Sequence, residues 1–85
     1  MTPASVQVAA LYQFAPVPDP EAVRDQLAAL CGDEVRGTLL IAHEGINGTI
    51  AGPADAVARV VAGIRALPGF AAMEIKTAVA EAIQV

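Results

Sequence analysis

His43, Glu44 and Asn47 place an imidazole, a carboxylate and a primary amide within five residues, interleaved with Gly45 and Gly48 and closed by Thr49. Imidazole is the side chain best suited to proton transfer near neutrality. A carboxylate in contact with it favours the protonated ring. The amide offers both a donor and an acceptor, which suits a base edge, a phosphate or a neighbouring domain. Each residue also has a plainer role. His43 can orient a turn or cap a sheet edge, Glu44 can be a solvated turn residue, and the two glycines can serve backbone geometry. Asn47 is the least explained, because neither a turn nor a strand requires an amide there. Arg36, seven residues upstream, is suited to a phosphate or to a solvated strand start, and Lys76 to an exposed sheet edge.

The flanking pattern says what positions these groups. The apolar run Thr38–Ala42 precedes the polar segment, and Ile50-Ala51 follows it. Two apolar runs around a Gly-containing polar break form a β-hairpin, here Val35–Ala42 and Ile46–Ala51, with glycine supplying the positive φ of the turn. An even loop puts Leu39, Ile41 and His43 on one face with Ile46, Gly48 and Ile50, leaving Thr38, Asn47 and Thr49 on the other. His43 and Asn47 are then not cross-strand partners, which argues against a catalytic dyad.

Upstream, Val6 to Phe14 alternates as a strand with Val6, Val8, Ala10, Tyr12 and Phe14 on one side. Pro16 and Pro18 break it. Asp19-Pro20-Glu21 starts a helix, Val23, Leu27 and Leu30 share its apolar face, and Gly32 ends it. Gly52-Pro53 opens a second helix carrying Val57, Val60, Val61 and Ile64, and Pro68-Gly69 closes it. Met73 to Thr77 gives a last strand. The order β-α-β-β-α-β predicts an α+β ferredoxin-like sandwich, with a four-stranded antiparallel sheet carrying two helices on one face. The chain reads as one domain over 1–85, with 1–5 and 78–85 as flexible tails.

Composition narrows the function. Nine carboxylates stand against five Lys and Arg, a net charge of −4, and no cations cluster in sequence. That weighs against autonomous nucleic-acid binding, whose affinity comes mainly from clustered cations. One His and one Cys without paired spacing make no zinc or iron site, no phosphate-binding glycine loop is present, and no cofactor is expected. No apolar run reaches the roughly 20 residues that span a bilayer. The N-terminus carries no secretion signal, and the single Cys31 agrees with a reducing compartment, so a cytoplasmic domain without membrane association is expected. Cys31 reads as a semi-buried hydrophobe at the helix end least favourable to a thiolate.

Leu11-Tyr12-Gln13-Phe14, Asp19-Pro20-Glu21 and the run Arg36–Gly52, with His43-Glu44-Gly45-Ile46-Asn47-Gly48-Thr49 as its specific part, resemble the amino-terminal domain of the rhodanese-related tRNA uridine hydroxylases. The likeness runs from about residue 8 to residue 77. It implies an acylphosphatase-like domain that precedes a rhodanese domain bearing a reactive cysteine. The complete enzyme is associated with oxygen-dependent formation of 5-hydroxyuridine at the tRNA wobble position. The chain ends where a rhodanese half would begin, and its tail 78–85 lacks the basic, Phe-containing continuation expected there. An excised domain, a truncated frame and a free-standing relative all stay open, and none of them contains the family's cysteine.

Three functions follow as expectations. The first is a non-catalytic accessory domain that binds tRNA or the rhodanese domain through Arg36, His43, Glu44, Asn47 and Thr49, with Gly45 and Gly48 shaping the turn. The second is a free-standing regulatory or oligomerising module that forms a homodimer. The third, an acylphosphatase, is disfavoured, because the loop Ala15–Asp19 offers no cation and few free amides for an anion.

Overall fold

The computed structural model describes residues 5–81. Its elements are β1 (Ser5–Phe14), α1 (Pro20–Cys31), β2 (Arg36–Ala42), β3 (Gly45–Gly52), α2 (Ala54–Arg65) and β4 (Glu74–Glu81). The strands form one sheet in the order β2-β3-β1-β4, with every neighbouring pair antiparallel. This is the ferredoxin-like arrangement expected from the periodicity. β4 continues four residues beyond the expected Thr77 because its ladder with β1 extends to the pair Ser5↔Glu81. Of the segments expected to be flexible, Ser5 and residues 78–81 are therefore strand, and the remainder lies outside the described residues.

Local chemistry sets the helix ends. The Asp19 carboxylate accepts a hydrogen bond from the Ala22 N–H at 3.1 Å, and Pro20 occupies the first turn, where no N–H is needed. Gly32 adopts φ +53° and donates its N–H to the Ala28 carbonyl at 3.1 Å, ending α1. Helix α2 buries Ala56, Val57, Val60, Val61 and Ile64, whereas α1 fully buries only Leu27, with Val23 and Leu30 half-buried. These residues pack on Ala9, Leu11, Ile46 and Ile50 of the sheet, and Phe70 and Met73 close the end of the layer. Burying a side chain of Leu, Ile, Phe or Met size contributes roughly 1.5–3 kcal/mol, so this layer dominates the stability.

Two arginines tie the helical layer together. Arg59 on α2 pairs with Glu34 in the α1–β2 loop at 3.0 Å, across a largely exposed contact. Arg65 donates twice to the Met73 carbonyl, at 2.7 and 3.2 Å, fixing the end of α2 to the entry of β4.

The sheet has one covered and one open face. On β1 the covered face receives Ala9 and Leu11, while Ala10, Tyr12 and Phe14 stand exposed on the other side. The alternating set Val6, Val8, Ala10, Tyr12 and Phe14 thus faces away from the helices, although it carries the larger side chains.

Candidate functional site

The hairpin closes on a two-residue loop, His43-Glu44, with Ala42↔Gly45 as the last pair and Ile41↔Ile46 and Leu40↔Asn47 behind it. The even loop leaves Leu39, Ile41 and Ile46 on the covered side and Thr38, Asn47 and Thr49 on the open side, as parity requires. His43 and Asn47 are not partners. The turn differs from expectation in one respect: it is built from His43 and Glu44 without a positive-φ residue, and both glycines lie inside β3. Their role is close approach. A Cβ at Gly45 would run into the Gln13 carbonyl oxygen of β1, and one at Gly48 into the Thr38 carbonyl oxygen of β2. Gly48 also holds φ +149°, which L-residues rarely adopt.

His43 is engaged by the segment that follows β1. Pro16 and Pro18 have no N–H, so Val17 supplies the only donor of that tripeptide, and it donates to the His43 carbonyl at 2.9 Å. The imidazole returns the contact, its Nδ1 lying 3.2 Å from the Val17 carbonyl oxygen. A carbonyl can only accept, so Nδ1 carries the proton. The same residue pair is therefore bonded twice, and the buried Val17 side chain is held in the core. One residue earlier, the Ala15 N–H donates to the Glu44 carbonyl at 3.0 Å.

These bonds also take amides away from any anion cradle in this loop. Between Ala15 and Pro18 both N–H groups are spent on the hairpin tip. The outer side of the loop borders an apolar cleft of about 380 Å³ lined by Pro16, Pro18, Val23, Leu67 and Phe70.

The five candidate binding residues divide into two places. His43 and Glu44 line a cleft of about 510 Å³ at the hairpin tip with Asp19 and Glu21, where the carboxylates outnumber any cation. Arg36, Asn47 and Thr49 line a shallow depression of about 430 Å³ on the open face, with Thr38 and Leu40 beside them. Arg36, Asn47 and Thr49 are exposed, and Arg36 makes no ion pair among the described residues. An acidic tip repels phosphate. The open depression presents a guanidinium, an amide and two hydroxyls to it.

Among the described residues no three metal-ligating side chains come together, and the core contains no polar or charged side chain. Cys31 is half-buried at the end of α1, and desolvation pushes its thiol pKa above the usual value. Burial thus disfavours its thiolate form.

Three residues missing from the candidate set stand exposed on the same face: Leu40 lines the depression, Tyr12 lies beside Asn47, and Phe14 lies beside Tyr12. Tyr12 is 56% exposed, Phe14 67% and Leu40 60%. Tyr12 pairs directly with Asn47, and Asn47 with Leu40. The Tyr12 and Phe14 rings meet edge to face with centroids 5.0 Å apart at 86°. β1 has apolar residues on both faces and gives no sign in sequence of which face the helices will cover, so Tyr12 and Phe14 could not be recognised as surface.

Comparison with known proteins adds the family. Residues 6–84 match the UPF0176 acylphosphatase-like domain. The chain is 58% identical over 79 residues to a tRNA uridine(34) hydroxylase of Caulobacter vibrioides, covering 92% of this chain and 25% of that protein. It is 51% identical over 81 residues to the protein of the same name from Mesorhizobium japonicum, covering 89% and 26%. The corresponding figures for Brucella ovis are 53% over 70 residues, 81% and 23%. The chain thus spans about a quarter of the length of these relatives.

Proposed function

The chain belongs to the UPF0176 acylphosphatase-like domain family, and from that membership we propose that it is the non-catalytic amino-terminal domain of a tRNA uridine-34 hydroxylase. Its contribution is binding. The open-face depression of the hairpin contacts tRNA, while the chemistry belongs to a rhodanese domain outside this chain. On the same reading the protein's location is cytoplasmic, where tRNA is the substrate.

The observation that carries this reading is the segregation of charge. The chain has a net charge of −4, yet the described side chains of the open face include two cations, Arg36 and Lys76, and one carboxylate, Glu74. The acidic residues of α1, the α1–β2 loop and the hairpin tip lie elsewhere. On this reading the binding surface is Arg36, Asn47 and Thr49, and His43, bonded to Val17, braces the fold. Titration of the domain with unmodified tRNA at low and physiological salt tests it. Arg36→Ala and Asn47→Ala should each weaken binding, and Arg36→Ala should also flatten the salt dependence. Equal affinity in wild type and both variants would refute an RNA contact by this surface.

A second reading, a homodimer across the same face, draws support from the exposure of Tyr12, Phe14 and Leu40. Sedimentation at micromolar concentration distinguishes it. A stable dimer that ignores tRNA would replace the first reading.

A further inference from the structure

We propose that the Tyr12–Phe14 corner of the open face is a stacking site for an unpaired RNA base, and that the domain therefore selects single-stranded over duplex RNA. This rests on the RNA-binding reading above and names the form of RNA that the surface takes.

The register places the parts. Across the open face one row reads Leu40, Asn47, Tyr12, Glu74, and the next reads Thr38, Thr49, Ala10, Lys76. Tyr12 lies on β1, one of the two central strands, where a base can approach without obstruction from a sheet edge. With the two rings at 86°, a base that stacks on one ring meets the other side-on, so the corner holds one base rather than a continuous stack. Asn47, cross-strand from Tyr12, puts a donor and an acceptor beside that base. Thr38 and Thr49 supply hydroxyls in the adjacent row.

Phosphates have partners at workable spacing. Lys76 is one strand across and two residues along from Tyr12, about 8 Å between Cα atoms for ordinary strand geometry. A flexible lysine on that site reaches the phosphate attached to a base stacked on Tyr12. Arg36 lies on the far edge strand and serves a second phosphate. Glu74, directly opposite Tyr12 on β4, is the one described carboxylate on the face and opposes the backbone of any bound strand.

Duplex RNA has no free base face to offer, because its bases are stacked within the helix. Exposed aromatic rings on an open sheet therefore discriminate between paired and unpaired RNA by stacking alone. A protein partner could also cover the apolar patch. The face as a whole carries two cations, Lys76 diagonal to Tyr12 and Arg36 two strands away, against the single carboxylate Glu74, which in an otherwise acidic chain favours an anionic occupant.

The chain contains one tyrosine and no tryptophan, so intrinsic emission reports on Tyr12 directly. The experiment adds a seven-nucleotide single-stranded RNA, or the same sequence as a duplex, to the 85-residue chain. It follows tyrosine emission and, with labelled RNA, anisotropy. The single strand should quench the emission and bind more tightly than the duplex. Tyr12→Leu should weaken single-strand binding about tenfold, and Glu74→Gln should strengthen it about two- to threefold. Two phosphate contacts predict a slope of about −1.4 in log affinity against log salt. Because Tyr12 is exposed, Tyr12→Leu should fold, and matching amide spectra would establish that.

Unchanged emission, equal affinity for duplex, or unchanged affinity in Tyr12→Leu would each overturn the stacking site. If Tyr12→Leu binds normally while Asn47→Ala weakens tRNA binding, the corner fails and the hairpin contact stands. If neither variant matters, both readings fail. A concentration-dependent dimer abolished by Tyr12→Leu, with no quenching by RNA, would give the face to a second copy of the chain instead.

Discussion

Replacing His43 by alanine separates structure from binding at the hairpin tip. The substitution removes the imidazole Nδ1 donor 3.2 Å from the Val17 carbonyl and leaves the Val17 N–H to His43 carbonyl bond in place. Half of a two-point contact is lost. An intramolecular hydrogen bond of this kind contributes about 0.5–1.5 kcal/mol, and the contact is only partly buried, so water can reach the freed carbonyl. The expected loss is about 1 kcal/mol, or about 4–8 °C in Tm for a domain of this size. His43→Asn keeps a nitrogen donor at the same bond distance from Cβ, and it should recover more than half of that loss. Urea denaturation followed by far-UV circular dichroism gives the stabilities, and titration with tRNA gives the affinities. His43→Ala should be less stable and bind tRNA as wild type does at a temperature where both are folded. Unchanged stability combined with lost tRNA binding would refute the bracing role and return His43 to the binding surface.

Three other substitutions or probes test the fold around the site. Gly48→Ala places a methyl group against the Thr38 carbonyl in a backbone conformation that suits glycine, and should cost about 2–4 kcal/mol in urea denaturation; a loss under 0.5 kcal/mol would contradict the close approach of β2 and β3. Arg65→Met keeps an apolar stem but removes both donors to the Met73 carbonyl, and should cost about 1–2 kcal/mol, with faster amide exchange at the start of β4. Desolvation raises the Cys31 pKa, so less thiolate is present at any pH below it; alkylation by iodoacetamide at pH 8 should be slower than that of a free thiol such as N-acetylcysteine, and a faster rate would contradict the burial.

The helices were legible because each carried start, face and stop signals together. Asp19-Pro20 and Gly32 bound α1, and the Val57, Val60, Val61, Ile64 spacing gives the buried face of α2. The hairpin register was legible from the parity of its apolar residues. Three features required distances that sequence does not supply. Gly45 and Gly48 look like turn residues until Gln13 and Thr38 are brought against them from neighbouring strands. His43 meets Val17 across 26 residues, a contact that gives the ring a bracing role no sequence pattern announces. β1 alternates with apolar residues on both sides, so periodicity shows a strand without choosing its covered face. Small Ala9 lies against the helices while Tyr12 and Phe14 stand outside, and that choice created the surface on which the binding proposal depends.

Amide chemical-shift mapping of the domain during titration with unmodified tRNA, at low and at physiological salt, tests the central claim most directly. The account predicts salt-sensitive shifts at Arg36, Asn47, Thr49 and Tyr12, small shifts at His43 and Glu44, and loss of the pattern in Asn47→Ala. The absence of shifts at low salt, or shifts centred on the acidic tip around His43 and Glu44, would contradict it and leave the open face as a docking surface for another protein domain.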